Sequence, residues 1–265
     1  MVVRVCETLG VPCSALQVKV EPGNLQDRAR DARYDALCSY FGTQRAGAIA
    51  TAHHADDQAE TVLMRLNRGS GLAGLAGIRA RSVRISGDPA AEYLVVRPLL
   101  HWRREELAGI VAKSGLEPVR DPSNEDDRFD RVQVRKALAS TQWLDPLAVA
   151  ASARNLQDAE PVIESAVAKV WQEFVHHEGN PAHGGVSWLH FGHARAVEIE
   201  VVQLILEGFG AAVRGSAVAR MVDQLYADKA ASLGGVLARR EMHDLDPRTQ
   251  CLAWKFEREP PRKTG

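Results

Sequence analysis

The passage His53 to Gly71, HHADDQAETVLMRLNRGSG, concentrates two histidines, three carboxylates, two arginines and a Gly-Ser-Gly turn. Asp56 and Glu60 stand four residues apart, and Asp57 and Glu60 three apart, so on a helix their side chains converge. Clustered carboxylate oxygens suit Mg²⁺, which binds through one or two carboxylates together with substrate phosphates. Asp56 and Asp57 are the candidate metal ligands. Glu60, with Asp57 beside it, is the candidate for proton transfer. Acids in a first helical turn also complement the positive end of the helix dipole. With two histidines at the same place, three of them exceed what capping requires. Adjacent histidines at a strand end point to opposite faces, and His53, four before Asp57, is read as the one facing a ligand. Arg68, Gly69, Ser70 and Gly71 close the passage. They make either a glycine cap or a small-residue turn that lets a ligand approach the backbone.

A second constellation runs from Asp121 through DPSNEDDRFDR to Arg131, with Arg135 beyond it. Asp-Pro-Ser-Asn is turn chemistry. Arg128, Arg131 and Arg135 follow at helical spacing and share a face. They can pair with nearby acids or present cations to a nucleotide or RNA. Arg65, Arg68, Arg79, Arg81 and Arg84 succeed one another with no acid between them, and Arg97, Arg103 and Arg104 extend the basic stretch. A solvated surface accounts for such a run; a patch meeting phosphate backbone accounts for it equally.

These residues need elements to hold them. Ala48 to Ala52 is short, apolar and compatible with a strand, as part of a strand from Ala46 to Ala52. From Ala55 the pattern turns helical, with Ala59, Val62, Leu63 and Leu66 on one face. The polar cluster therefore falls at the carboxyl end of a strand, where open α/β sheets collect ligands. Upstream, Val2 to Leu9 is a helix stopped by Gly10, Leu16 to Val20 a strand, and Leu25 to Phe41 a longer helix. Downstream, Tyr93 to Arg97 is a strand stopped by Pro98, and Arg103 to Ser114 a helix. This alternation implies βαβ units, a largely parallel sheet and the α/β class. From Asp145 the character becomes helical: Ala148 to Val175, Ala194 to Leu206 and Ser216 to Ala227, with a polar break from His176 to Gly185. Leu233 to Arg239 and Cys251 to Phe256 close the chain as a small hairpin, before a tail at 260–265 expected to be disordered.

Composition narrows the class. The 265 residues carry a net charge of −1, so no global charge announces nucleic acid or membrane. The four cysteines include no CxxC pair, which argues against a zinc ribbon or a cysteine-ligated cluster. No apolar run reaches the length of a membrane span, and no signal peptide is visible. A soluble, cytoplasmic protein is expected.

The motifs HHADDQAETVLMRLNRGSGLAGLAGI, VVRPLL and DPSNEDDRFDR, in this order and preceded by QDRARDARYDAL, resemble the tRNA(Ile)-lysidine synthases. The resemblance covers essentially the whole chain. It implies a Rossmann-like PP-loop ATP pyrophosphatase domain at 1–142, a helical tRNA-binding-type domain at 143–259 and a tail. It also implies that ATP, assisted by Mg²⁺, adenylates the wobble cytidine of an isoleucine tRNA with a CAU anticodon, and that free lysine then displaces AMP. Carried over, Glu60 and Arg131 match residues implicated in that chemistry, and Asp56 and Asp57 match motif acids. Nucleotide binding falls to His53, Arg68, Gly69, Ser70 and Gly71, and tRNA binding to Arg65, Arg79, Arg97 and Arg135. The resemblance allows a homodimer. Two departures stand out. Val132 occupies a position where the family commonly has asparagine, and the nucleotide loop SGGxDS occurs nowhere in the chain. The expectation is an N-terminally truncated or mis-started synthase with impaired ATP binding. The alternatives are a catalytically inactive tRNA-binding remnant and a metal-dependent phosphohydrolase.

Overall fold

In the computed structural model the described residues are 2–20, 25–44, 47–86, 91–118, 130–178, 184–246 and 249–259. The motif 121–129 and the tail 260–265 lie outside them. The chain divides into two units, one made of Met1–Met64 and Ala76–Arg154, the other of Arg65–Leu75 and Asn155–Gly265.

The first unit begins with α1 (Val2–Leu9) and α2 (Leu25–Gln44). Its sheet has the order β1-β3-β2, from β1 (Ile49–Ala50), β2 (Arg81–Ser86) and β3 (Ala91–Val96). β1 runs parallel to β3, with Ile49 opposite Val95, whereas β2 and β3 form an antiparallel pair. Helix α2 covers one face of this sheet, burying Tyr34 and Cys38 against Ile49 and Val95, with Leu37, Phe41 and Tyr93 around them.

β2 was not expected as a strand, because its sequence RSVRIS turns the usual pattern inside out. Val83 and Ile85 are exposed, while Arg84 points back to α2. Its guanidinium meets Asp31 at 3.3 Å and Asp35 at 3.2 Å and lies 4.9 Å from the Tyr34 ring centre. The arginine stem spans the layer while its head finds two carboxylates, so an interior-facing position reads as polar. Leu16 to Val20, expected as a strand, has no ladder partner among the described residues, and Leu16 and Val18 remain exposed. A strand without a neighbour has nothing to pair its backbone groups with.

Helix α3 (Ala55–Asn67) begins in this unit and ends in the second, which also holds the short α4 (Leu72–Leu75); α5 (Arg104–Lys113) and α6 (Asp130–Ser140) complete the first unit. Helix α7 (Pro146–Phe174) leads into the second unit. There, α8 (Arg195–Gly208) and α9 (Gly215–Tyr226) accompany a sheet of order β4-β5-β8-β7-β6, antiparallel throughout. Its strands are β4 (Val175–Glu178), β5 (Gly185–Leu189), β6 (Ala231–Leu233), β7 (Val236–Asp246) and β8 (Thr249–Arg258). The small hairpin is thus the centre of a larger sheet. The polar break at 176–185 contains β4 and the start of β5, whose histidines and glycine concealed a strand signal. Trp188, Trp254 and Phe256 sink into the core with Ile205, Leu206 and Leu225 of the helices. Each large apolar side chain so buried contributes roughly 1.5–3 kcal/mol. Among the described residues no helix is long and apolar enough to cross a membrane.

Candidate active site: three arginines around a buried glutamate

The site starts where β1 hands over to α3. His54 occupies the residue before the helix and Asp57 its third position. The His54 N–H donates to Asp57 Oδ2 at 3.0 Å, and the Asp57 N–H donates to His54 Nδ1 at 3.3 Å. This is the reciprocal logic of a capping box, with histidine in place of serine. Thus His54, and not His53, meets Asp57, because the cap-to-third-residue spacing is three. His53 instead sets Nδ1 2.8 Å from Thr51 Oγ1. Burial, chiefly, holds its imidazole below the usual histidine range, against the pull of Asp57.

The loop after β3 fastens the same helix start. The Ala55 N–H donates to the Trp102 carbonyl at 2.9 Å. Asp56 Oδ2 accepts the backbone N–H of Arg104 at 2.7 Å, and Oδ1 accepts from Arg103 Nη2 at 3.2 Å. Asp56 therefore faces the amino ends of two helices, α3 and α5, each with partial positive charge. Burial opposes its ionised form, yet these hydrogen bonds outweigh that and keep its carboxyl below the usual range. Further along, Gln58 clamps the chain at Ile78, accepting its N–H at 2.6 Å and donating to its carbonyl at 3.0 Å. Gly77 passes so close that a Cβ there would lie 2.6 Å from Gln58 Oε1, and its φ of +69° is one that favours glycine.

Glu60, one turn into α3, is only 1% exposed. Three guanidiniums converge on it. Arg131 Nε donates to Oε2 at 2.7 Å, Arg135 Nε to Oε1 at 2.8 Å, and Arg104 Nη2 to Oε1 at 3.1 Å. Arg131 also donates from Nη2 to Asp57 Oδ1 at 2.7 Å, bridging the two acids. Arg131 and Arg135 project together because they are four apart on α6, which is anchored by the buried Val132. Burial works to neutralise Glu60, but the hydrogen bonds from Arg135 and Arg131 overcome it and hold its carboxyl below the usual range. The Arg135 guanidinium is correspondingly held above its ordinary value by its bond to Glu60.

Four guanidiniums thus meet three carboxylates, and Arg103 also reaches a fourth, Asp145, at 3.8 Å. Their side chains keep 24–41% exposure while Glu60 is sealed. Such a cluster offers anchored, partly open cations to phosphate oxygens. It does not fit a divalent cation. The oxygens of Asp56 and Asp57 are turned to arginines and backbone N–H groups, and among the described residues no three His, Cys, Asp or Glu side chains form a metal-binding group.

The remaining expected residues have other roles in this geometry. Arg97, expected to face tRNA, is 7% exposed and donates to the Arg79 carbonyl at 2.8 Å and Ser82 Oγ at 3.0 Å. It is an internal brace for the β2–β3 pair, because its place at the end of a central strand points it inward. Arg79 donates to the Gly77 carbonyl and Arg65 to the Gly74 carbonyl. Gly69, at φ +65°, ends α3, with its N–H bonded to the Leu66 carbonyl and that of Ser70 to the Arg65 carbonyl. This is a glycine cap; Arg68, Gly69, Ser70 and Gly71 form this turn in the second unit. Sequence reasoning placed Arg103 and Arg104 only in a general basic stretch. The signal that could have found them is the helix start after Pro98, where the Arg103 N–H donates to Glu106 Oε2 at 2.7 Å.

Comparison with known proteins agrees with this architecture. Residues 1–142 match a family model described as a PP-loop domain. The chain is therefore a PP-loop protein. It is 40% identical to the tRNA(Ile)-lysidine synthase of Novosphingobium aromaticivorans, an alignment spanning 100% of this chain and 77% of that protein. With the enzyme of the same name from Zymomonas mobilis subsp. mobilis it shares 35% identity over 99% of this chain and 76% of the relative. With that from Alkalilimnicola ehrlichii identity is 44% over 143 residues, 52% of this chain and 30% of the relative. The chain belongs to the tRNA(Ile)-lysidine synthase family.

Proposed function

We propose that this protein is an ATP-using ligase that attaches lysine to the wobble cytidine of the CAU-anticodon isoleucine tRNA. The observation that carries the reading is the arginine cluster on Glu60, in a chain whose relatives bear that name over its whole length. In the reaction ATP is split at the α-phosphorus, the base is adenylated and pyrophosphate leaves; the lysine amine then displaces AMP. Both steps build negative charge on phosphate oxygens, and pre-placed guanidiniums stabilise such charge without reorganising.

In this reading Arg131 and Arg104 are the groups that meet phosphate, through guanidinium edges that remain open. Glu60 acts as their anchor rather than as a proton acceptor, since it is sealed and held ionised by three cations. Asp57 orients Arg131, and Asp56 ties the two helix starts together. Asp56 and Asp57 are already engaged by arginines and backbone N–H groups, which disfavours a metal-dependent phosphohydrolase. Free lysine, a homodimer and nucleotide contacts from His53 or Arg68 to Gly71 belong to the proposal without a geometric argument of their own.

The test is release of AMP that requires tRNA, lysine and ATP together. Arg131→Ala should lower the rate by about 10²–10³, the cost of removing a pre-placed donor. AMP release by the variant at the wild-type rate would overturn the assignment.

A further inference from the structure

The RNA-facing surface expected from Arg79 and Arg97 is absorbed by internal contacts, but another face of the first unit has the chemistry for it. Trp143 is 84% exposed and Trp102 is 42% exposed. The Trp143 indole, so open, contributes little to folding and is available to a partner, and Trp102 is partly so. The two tryptophans flank a point where separate segments meet: Arg103, next to Trp102, lies 3.8 Å from Asp145, two residues beyond Trp143. Both segments are held. The Leu144 N–H donates to the Thr141 carbonyl at 3.4 Å, and Asp145 Oδ1 accepts from the Leu147 N–H at 2.9 Å. Trp102 is tied by its carbonyl to Ala55, the first residue of the helix that carries Asp56, Asp57 and Glu60.

Beside this pair, Arg154 Nη2 approaches His101 Nδ1 at 3.0 Å. Among the described residues neither side chain has an acidic partner. The guanidinium thus lies against an imidazole nitrogen and not a carboxylate, which leaves its charge available to a phosphate.

We infer that His101, Trp102, Trp143 and Arg154 form a subsite for unpaired RNA, in which the indoles stack on bases and Arg154, steadied by His101, binds the intervening phosphate. The inference rests on the proposed reaction, whose substrate is a tRNA with its reactive base in a loop. Base stacking on exposed aromatics combined with a backbone cation is how single strands are bound without reading their sequence. The anchoring of Trp102 to α3 places this subsite at the approach to the arginine cluster. Tryptophan and arginine also gather in protein interfaces, and the oligomeric state of the Trp143 variant separates that case from RNA binding.

The experiment measures binding of the full chain to an anticodon stem–loop RNA with a CAU loop and to a blunt duplex of the same length, across a salt series. Trp143→Ala should weaken stem–loop binding about tenfold with little change in salt slope, and leave the duplex and the melting temperature unaffected. Trp143→Phe should restore most of the loss. Arg154→Gln should reduce the salt slope by about one. Stem–loop binding unchanged by Trp143→Ala overturns the subsite and leaves the proposed reaction standing. If the unaltered chain binds no stem–loop, both fall. If Trp143→Ala turns a dimer into a monomer without affecting RNA, the face is a protein interface and the subsite is wrong.

Discussion

Two glutamates, one in each unit, are equally sealed at 1% exposure, and their surroundings differ in kind. Glu60 is held by guanidiniums that emerge into solvent. Glu198, on α8, is held by neutral and weakly polar groups inside an aromatic box. His190 Nε2 lies 3.0 Å from its Oε1, the Tyr226 hydroxyl donates to the same oxygen at 2.5 Å, and the His193 N–H at 3.2 Å. His190 stacks on Trp254 with ring centres 4.2 Å apart, and Trp188 stacks on His193 at 5.9 Å. Burying a carboxylate costs several kcal/mol unless it is paired. In the first unit that cost is offset by charges that can do further work outside. In the second it is offset by groups that only lock β5, α8 and α9 together. The two acids are thus separated by the charge of their partners, cations at Glu60 against a phenol, an imidazole and a backbone N–H at Glu198; exposure alone does not separate them, since Tyr226 is 50% exposed.

The sharpest way to break this comparison is to neutralise both acids. Glu60→Gln should abolish tRNA-dependent AMP release, by at least about 10²-fold. It should also cost roughly 3–5 kcal/mol in denaturant unfolding, since three guanidiniums lose their anchor. Glu198→Gln should lower stability by roughly 1.5–3 kcal/mol, the worth of hydrogen bonds to a charged acceptor. AMP release per folded molecule should stay at the wild-type level. Equal loss of activity in both variants would show that the contrast drawn here is false.

Acid titration separates the regions less drastically. Burial holds both His53 and His190 below their ordinary value of 6.5, so the unfolded chain takes up protons that the folded chain refuses. Their contribution to stability is complete above that pH and is lost as pH falls below about 6.5. Asp56 and Glu60, also lowered, contribute above their unfolded values of 3.8 and 4.5 and lose this only as pH falls towards their folded values. Unfolding measured against pH should therefore decline in two stages. His190→Gln should diminish the first and leave the second. A single decline confined to the carboxylate range would contradict the assigned histidine environments.

The smallest effect belongs to Tyr226. Burial, with the hydrogen bond to Glu198, pushes its phenol up to about 12, so its absorbance should not change through the range in which free tyrosine ionises. Tyr226→Phe should cost about 1 kcal/mol and leave AMP release untouched.

Much of the first unit was legible from sequence. The helical spacing of Asp56, Asp57 and Glu60, and of Arg131 and Arg135, made two faces of like chemistry readable at once. What could not be read was that these faces meet. Arg131 lies 71 residues from Glu60 in the chain, and only the packing of α6 against α3 makes them partners. β2 was missed because Arg84 takes an inward position, its charge satisfied by Asp31 and Asp35 from a helix about 50 residues earlier. Local hydropathy cannot reveal a distant counter-charge. For the same reason Arg97 looked like a surface cation and proved to be an internal brace.

The sequence by itself determined the family, the element order around the site and the residue types that do its chemistry, since these depend on motifs and short-range spacing. Only the tertiary structure decided which charge meets which. Ion pairing depends on distance and desolvation, and both are set when the helices and strands pack. That packing set three guanidiniums on Glu60 and turned Asp56 and Asp57 towards arginines and backbone N–H groups. It also buried Arg97 and left Trp102 and Trp143 exposed.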